Sequence, residues 1–159
     1  MDDSIKPPAN TLKLTSSAFA NNASIPITFT CKGSNTSPPL EITGTPDGTS
    51  SLALIMHDPD AVGNDFTHWV VWNIAPGTST ITQSKLPTKT KEGLNDAGRP
   101  GYFGPCPPAG TGAHRYQFEL FALDTSLQGG HQIKRADLEA MMSGHILDHT
   151  VLTGSFGSN

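Results

Sequence analysis

Four polar residues stand at the ends of candidate strands, where their side chains could meet: Asp58, His68, His114 and Tyr116. Two imidazoles and a phenol can donate hydrogen bonds to an anion, and a carboxylate can orient one imidazole or keep it protonated. Turning such groups towards a protein interior costs free energy unless they bond to one another or to a ligand. The pattern therefore predicts a small pocket for an anionic group.

Three predicted strands would position these groups, over residues 51–58, 68–74 and 114–123. Side chains alternate between the two faces of a strand, so Asp58, His114 and Tyr116 fall in phase with the apolar face of their own strands. His68 has the parity of the apolar residues that follow it at every second position: Val70, Trp72 and Ile74. All four groups are therefore expected to face the core.

A stretch rich in glycine and proline, residues 101–113, leads into the third of these strands. Its glycines at Gly104, Gly110 and Gly112 would let backbone amides approach the same anion, as in a backbone nest. The stretch is too rigid and too poor in large side chains to cover the pocket.

Size and composition limit the class of protein. The 159 residues fit one domain, which is predicted over residues 11–159 after a flexible lead at residues 1–10. A net charge of -4 with few basic residues argues against nucleic acid or an anionic membrane as the partner. No apolar run reaches the length of a membrane span. The 16 glycines and 13 prolines favour many turns between short strands.

The rest of the chain adds further strands and one helix. Alternating residues predict strands at 12–14, 25–30, 40–42 and 151–156. Residues 75–100 are predicted to be a long irregular connection, and connections of that length are usually functional or mobile. Apolar residues at helical spacing predict a helix over residues 133–145, with His145 on its buried side.

The two cysteines, Cys31 and Cys106, fit either a disulfide or two separate thiols. A disulfide requires an oxidising compartment and a close approach of the two segments. The N-terminus has no basic segment followed by an apolar one, so no signal peptide is expected. The chain is then either cytoplasmic or the mature form of a secreted protein.

Two other functions are compatible with the residues. A metal-dependent enzyme could use His68, His114 and Asp58 as a facial triad of ligands, although this leaves the glycine- and proline-rich stretch unexplained. An interaction protein, such as a protease inhibitor, could instead contact its partner through residues 75–100. The sequence lacks a nucleophile elbow, a Walker loop and a Rossmann fingerprint, so no cofactor is expected.

Four motifs follow one another along the chain: Asn35-Thr-Ser-Pro-Pro-Leu40, Asp58-Pro-Asp-Ala61, His68-Trp69, and Gly104-Pro-Cys-Pro-Pro-Ala-Gly110 with His114-Arg-Tyr116. In this order they resemble the phosphatidylethanolamine-binding protein family, in the bacterial and archaeal branch often called Raf kinase inhibitor-like. The resemblance covers residues 11–156. Any one motif is weak evidence, and their combination makes the resemblance specific.

The resemblance implies a mainly β fold, an antiparallel β-sandwich of two sheets with one or two peripheral helices. Carried over position by position, it implies a pocket of Asp58, His68, His114 and Tyr116, with a loop wall of Gly104, Pro105, Cys106 and Pro107. The ligand would be a phosphate, a phosphorylethanolamine-like head group or a carboxylate. Family members are mostly binding and inhibitory proteins that act on kinases, proteases or signalling partners. The chain is therefore expected to be no enzyme, and a protein partner or a homodimer is compatible with the family.

The sequence departs from the family pattern near the pocket. Val62 replaces a common proline, the segment from Ala61 to His68 is short, and the C-terminal helix of animal members is not seen. The pocket mouth is therefore expected to be open, and kinase regulation of the animal kind is not expected. Cys106 at the wall, with Cys31 before the first motif, resembles secreted bacterial members. That favours a disulfide and a periplasmic or extracellular mature protein.

Overall fold

Two antiparallel sheets make up the architecture in the computed structural model, which describes residues 9–157. The strands are β1 (Lys13–Thr15), β2 (Leu40–Thr43), β3 (Ser51–Asp58), β4 (Phe66–Ile74), β5 (Thr80–Ile81), β6 (Lys91–Glu92), β7 (His114–Leu123) and β8 (Ile146–Phe156). The small sheet has the order β1-β2-β5, and the large sheet has the order β6-β4-β3-β7-β8. The predicted mainly β fold of two antiparallel sheets is confirmed. Most of the predicted N-terminal lead, residues 1–8, lies outside the described residues.

The main hydrophobic core lies between the two sheets, because each sheet turns alternate apolar side chains towards the other. The small sheet contributes Leu14, Leu40, Ile42 and Ile81, and the large sheet contributes Leu52, Leu54, Met56, Phe118 and Leu120. β3 is buried along its whole length, as expected of a strand with neighbours on both edges and a layer on both faces. The strands that carry the predicted pocket residues therefore start from a closely packed core.

A helix, α1 (Arg135–Met142), covers the outer face of the large sheet. Its Leu138 and Met142 pack against side chains of β3 and β4, namely Ala53, Ile55, Val70 and Trp72. The predicted peripheral helix is thus present, with narrower bounds. None of the helices in the described part of the chain combines the length and the apolarity needed to span a bilayer.

The end of α1 places His145 differently from the prediction. The helix stops at Met142, and Gly144 follows with a φ of +84°, a left-handed conformation that glycine adopts easily. His145 therefore lies beyond the helix, where it is exposed and its Nδ1 is 2.8 Å from Asp124 Oδ1. The prediction that His145 packs on the buried side of the helix is wrong.

A network of charged side chains fastens α1 to the sheet. His57 is buried, with its ring nitrogens 2.7 Å from Glu119 Oε2 and 2.9 Å from Asp65 Oδ1. Burial lowers the pKa of His57, but hydrogen bonds to Glu119 and Asp65 outweigh burial and leave the pKa raised. Hydrogen bonds from His149 and His57 lower the pKa of Glu119. Arg135 of α1 joins the network through Asp65, at 3.1 Å.

Residues 25–30 do not form the predicted strand. Pro26 precedes one turn of 3-10 helix at Ile27–Phe29, in which the Phe29 N–H donates to the Pro26 carbonyl at 3.1 Å. This turn buries Phe29 and leaves Ile27 56% exposed, whereas strand alternation placed both on one face. A proline φ of -58° suits the tight turn as well as it suits a strand, so alternation alone was misleading.

The segment at residues 75–100 is more ordered than the predicted irregular connection. It contains β5, which completes the small sheet, and β6, which pairs with β4. Both strands have two residues, which is too short for alternation to be recognised in the sequence.

Two register shifts in β4 decide which of its side chains reach the core between the sheets. The first adds Asn73, which has a left-handed φ of +58° and exchanges two hydrogen bonds of 2.8 Å with the backbone of Leu127. The second lies opposite Met56 and His57, where β4 places three residues and His68 is the unpaired one. Such a β-bulge changes the direction in which a side chain points.

The bulge corrects the predicted parity of His68. His68 lines the cavity between the sheets, whereas the residues with which parity grouped it, Val70 and Trp72, pack on the outer face under α1. Simple alternation was therefore the wrong reason for expecting His68 beside Tyr116.

Candidate functional site

A cavity of about 220 Å³ opens where β3, β4 and β7 come together. Its lining includes all four predicted polar residues, Asp58, His68, His114 and Tyr116, and each is at most 3% exposed. The other lining residues are mainly apolar: Ala61, Val62, Phe66, Phe103, Cys106, Pro107 and Pro108. Val62 is 73% exposed and so lies at the mouth. The cavity thus has a buried polar base beneath an apolar entrance.

Asp58 and His114 form a buried pair at the base of the cavity. His114 Nδ1 lies 2.7 Å from Asp58 Oδ2, and Asp58 Oδ1 accepts the Asp60 N–H at 2.9 Å. Pro59 ends β3 because it has no backbone N–H and fixes φ, so the chain turns at once over the carboxylate. Both carboxylate oxygens are engaged, which holds the His114 ring in one orientation.

The second ring nitrogen of His114 faces the glycine-rich loop. Its Nε2 is 3.0 Å from Thr111 Oγ1, and that hydroxyl lies 2.7 Å from the Pro108 carbonyl. The hydroxyl has a single proton and a carbonyl can only accept one, so when that bond is made the Thr111 oxygen faces His114 as an acceptor. Both ring nitrogens of His114 therefore have a partner within the protein.

His68 is held by the backbone of Phe103 and surrounded by aromatic rings. Its Nδ1 donates to the Phe103 carbonyl at 2.5 Å, while the Phe103 N–H donates to the His68 carbonyl at 3.1 Å. The ring centroids of Phe66 and Tyr116 lie 4.8 Å and 5.3 Å away. Burial lowers the pKa of His68, and the Phe103 carbonyl and the charge of Asp58 only partly oppose it. His68 is therefore a neutral imidazole whose Nε2 remains for a ligand.

Tyr116 supplies a buried hydroxyl that makes no hydrogen bond of good geometry within residues 9–157, although the Asp58 side chain lies close enough to contribute to its raised pKa. Burial, and then the charge of Asp58, raises the pKa of Tyr116, so the phenol keeps its proton. A buried polar group without a partner costs about 1–3 kcal/mol, which a bound acceptor would recover. The hydroxyl is therefore the clearest sign that the cavity is built for an oxygen-bearing ligand.

A disulfide joins the loop wall of the cavity to the segment before the first motif. The Cα atoms of Cys31 and Cys106 are 5.3 Å apart and their sulfurs are bonded. Cys106 and Pro107 line the cavity, whereas Pro105 is buried and its carbonyl accepts the Cys31 N–H at 3.0 Å.

Gly104 explains why the glycine-proline motif and the asparagine motif occur together. Its N–H donates to Asn35 Oδ1 at 2.9 Å, and a Cβ at this position would collide with Asn35 and with the Phe29 carbonyl. The same carbonyl accepts the Tyr102 hydroxyl at 2.7 Å. Gly104 thus lies behind the wall and allows these two segments to approach closely.

Arg115 and Asp60 clamp the loop after β3 to the start of β7. The guanidinium of Arg115 makes two hydrogen bonds of 2.9 Å to the Asp60 carboxylate, and the Arg115 N–H makes a third of the same length. These bonds lower the pKa of Asp60 to about 2. The pair keeps the side of the cavity near Ala61 in place.

Sequence reasoning missed Thr111 and most of the apolar lining. Phe66 precedes His68 by two positions and could have been found from that spacing, but Phe103 and Pro108 lie in a loop without periodicity. One feature of the sequence could have indicated Thr111: its hydroxyl lies between two glycines, three residues before His114.

The ligand set of the metal-enzyme alternative is not formed. Within residues 9–157, no three or more His, Cys, Asp or Glu side chains are placed to hold a metal ion. Both nitrogens of His114 and both oxygens of Asp58 already have protein partners. His68, His114 and Asp58 therefore do not present three free donors to one point.

Comparisons with known proteins agree with this geometry. Residues 15–157 match the family model described as phosphatidylethanolamine-binding protein. A UPF0098 protein of Pyrococcus horikoshii is 43% identical over 147 residues, which are 89% of this chain and 74% of that protein. LppC of Mycobacterium tuberculosis, named as a candidate lipoprotein, is 48% identical over 122 residues, which are 77% of this chain and 60% of LppC.

The fold is also that of a solved structure. Escherichia coli YbcL, described as a member of the mammalian PEBP family, has a TM-score of 0.88 to this chain at 30% identity. The match covers 94% of this chain and 99% of the YbcL chain. The resemblance carried by the four motifs is confirmed, and the chain belongs to the phosphatidylethanolamine-binding protein family.

Proposed function

We propose that this chain is a non-enzymatic binding protein whose cavity takes the phosphate or carboxylate group of a small molecule, a lipid head group or a peptide. The observation that supports the proposal most strongly is the buried Tyr116 hydroxyl, which makes no hydrogen bond of good geometry within residues 9–157. It borders the same cavity as the Asp58–His114 pair and His68. An anionic oxygen placed among them would accept the phenolic proton in a site shielded from water.

The charge balance of the site indicates how an anion would be held. The Asp58 carboxylate lies 2.7 Å from His114 Nδ1, so this pair adds no net positive charge to the base of the cavity. His68 is neutral because burial lowers its pKa. An anion would favour the protonated form of His68, since an imidazolium next to an anion is stabilised. Binding should therefore be accompanied by uptake of a proton at His68.

The cavity entrance suggests that the anion carries an organic substituent. The buried base is polar, but the lining above it consists of side chains such as Val62, Phe66 and Pro108. An apolar entrance binds carbon better than it binds water. A phosphate monoester or an organic carboxylate therefore fits the whole cavity better than inorganic phosphate does.

Calorimetric titration with phosphate, phosphorylethanolamine and acetate tests the proposal. Tyr116→Phe removes only the hydroxyl and should weaken binding by about 10- to 100-fold, the range for a hydrogen bond to a charged group. His68→Gln should weaken binding and remove its pH dependence. His145→Ala, an exposed histidine outside the cavity, is the control and should bind like the parent. If Tyr116→Phe and His68→Gln also bind like the parent, the assignment of these residues is wrong.

A location in the periplasm or outside the cell accompanies this proposal. A disulfide such as Cys31–Cys106 persists in oxidising compartments and is rare in the cytosol. One relative is named as a candidate lipoprotein. A protein partner or a homodimer, through residues 75–100 or another surface, stays a prediction.

A further inference from the structure

The loop that faces His114 contains a hydroxyl in an unusual position. Thr111 lies between Gly110 and Gly112, and its Oγ1 is 3.0 Å from His114 Nε2. The hydroxyl and the N–H of Thr111 both donate to the Pro108 carbonyl, at 2.7 Å and 3.2 Å. The lone pairs of Oγ1 are therefore presented to the imidazole as the oxygen of an anion would present them.

We propose that Thr111 Oγ1 is a built-in placeholder, which occupies at His114 Nε2 the position of the ligand's anionic oxygen and is displaced when the ligand enters. This inference rests on the proposed function of the cavity. Thr111 would then affect which ligands bind. A ligand oxygen displaces the hydroxyl only if its hydrogen bond with His114 Nε2 is stronger than that of Thr111 Oγ1. A neutral acceptor offers His114 no more than the hydroxyl does, whereas a charge-assisted hydrogen bond is about twice as strong.

The loop is able to release Thr111 without disturbing the fold. Gly110 and Gly112 have left-handed φ values of +84° and +79°, and a Cβ at either position would meet no atom of residues 9–157 within 4 Å. Thr111 itself is exposed, and within the described residues its side chain makes hydrogen bonds to Pro108 and His114 alone. A rotation at these two glycines is a small change compared with any movement of the β7 strand.

The placeholder also gives His114 a partner at each ring nitrogen in the absence of ligand. A buried polar atom without a partner costs free energy, and Asp58 serves only Nδ1. Thr111 provides the partner at Nε2. A ligand oxygen that takes the place of the hydroxyl therefore leaves no ring nitrogen of His114 without a hydrogen bond.

Three substitutions distinguish a placeholder from a structural hydroxyl. Thr111→Val removes the acceptor at nearly constant shape, and Thr111→Ser keeps it. Thr49→Val is the matched control, because the Thr49 hydroxyl also donates to a carbonyl three residues earlier, at 2.7 Å from Pro46, but makes no hydrogen bond to a histidine within residues 9–157. Phosphate and acetate affinities are measured by calorimetry at about pH 6, and the ring nitrogens of His114 are followed by NMR.

The expected result is phosphate binding about three- to tenfold tighter in Thr111→Val, the range of one lost competing hydrogen bond. Thr111→Ser and Thr49→Val should remain within about twofold of the parent. In NMR, the His114 Nε2 resonance should shift in ligand-free Thr111→Val, because its hydrogen-bond partner is lost, and phosphate should move it back towards its position in the parent. Binding in Thr111→Val without detectable binding in the parent supports the placeholder as well.

Two results would overturn the inference in distinguishable ways. If the parent binds phosphate and Thr111→Val binds it equally or more weakly, the cavity function stands and the placeholder does not. If neither the parent nor any variant binds phosphate or acetate, the proposed function is wrong and the placeholder is wrong with it. An unchanged His114 nitrogen spectrum in ligand-free Thr111→Val also contradicts the placeholder, whatever the affinities are.

Discussion

The disulfide between Cys31 and Cys106 should contribute a large part of the stability that a single substitution can remove. The two cysteines are separated by 75 positions, so the bond closes a long loop in the unfolded chain. The chain-entropy relation for a loop of that length gives about 4.5 kcal/mol at 25 °C. Cys106 is exposed and Cys31 is half-buried, so replacing the sulfurs by serine oxygens adds little further loss of packing.

Urea unfolding of the Cys31→Ser/Cys106→Ser double variant measures this contribution. The free energy of unfolding should fall by about 4.5 kcal/mol, and the midpoint of thermal unfolding should fall by roughly 9–18 °C for a chain of this size. The slope of free energy against urea should increase, because the unfolded chain exposes more surface without the cross-link. Phosphate affinity should change little, since the Cys31–Pro105 and Gly104–Asn35 hydrogen bonds still hold the loop wall.

Each single variant, Cys31→Ser or Cys106→Ser, is the internal control. Either one breaks the same bond, so each should lose about as much stability as the double variant does. A double variant within about 1 kcal/mol of the parent would show that the unfolded chain is not restricted by the cross-link, and the reasoning from loop length would be refuted.

Three further predictions concern pH and packing. Phosphate affinity should rise as the pH falls below about 6.5, because burial lowers the pKa of His68 and the anion needs its protonated form; calorimetry showing constant affinity from about pH 5 to 8 would contradict this. Asn73→Ala should reduce the free energy of unfolding in urea by about 2–3 kcal/mol, because two hydrogen bonds and a favourable left-handed residue are lost; Asn73→Gly should recover only the backbone part. Glu119→Gln should reduce stability by about 2 kcal/mol at neutral pH. Hydrogen bonds from His149 and His57 lower the pKa of Glu119, so the contribution of its carboxylate is present above the unfolded pKa of about 4.3 and is lost as the pH falls through the native value. A difference between Glu119→Gln and the parent that persists in strong acid would argue against that carboxylate as the cause.

The regular parts of the pocket could be predicted because they depend only on local alternation. Asp58 closes a strand whose neighbours alternate without interruption, and His114 and Tyr116 open another. The family fold followed from the order of motifs, which needs no knowledge of packing. The sequence therefore contained the identity of these side chains and the direction in which each points.

The rest depends on contacts between distant segments, which one sequence does not display. His68 points into the cavity because of a register shift against β3, and that shift is a property of the strand pair rather than of β4 alone. β5 and β6 exist through their partners, since two residues have no measurable period. Thr111 acquires its role only when β7 has placed His114 within reach of its hydroxyl.

His68 is an extra residue in β4. It occupies the bulge and does not take the place of a residue that pairs with β3. On either side of it, Trp69 pairs with Met56 and Thr67 pairs with His57, as they would in an uninterrupted ladder. Deleting His68 would leave every other residue of β4 facing its present side. The pairing of β4 with β3 therefore does not depend on which residue occupies the bulge. The side chain that faces the ligand at this position can change while the core remains the same.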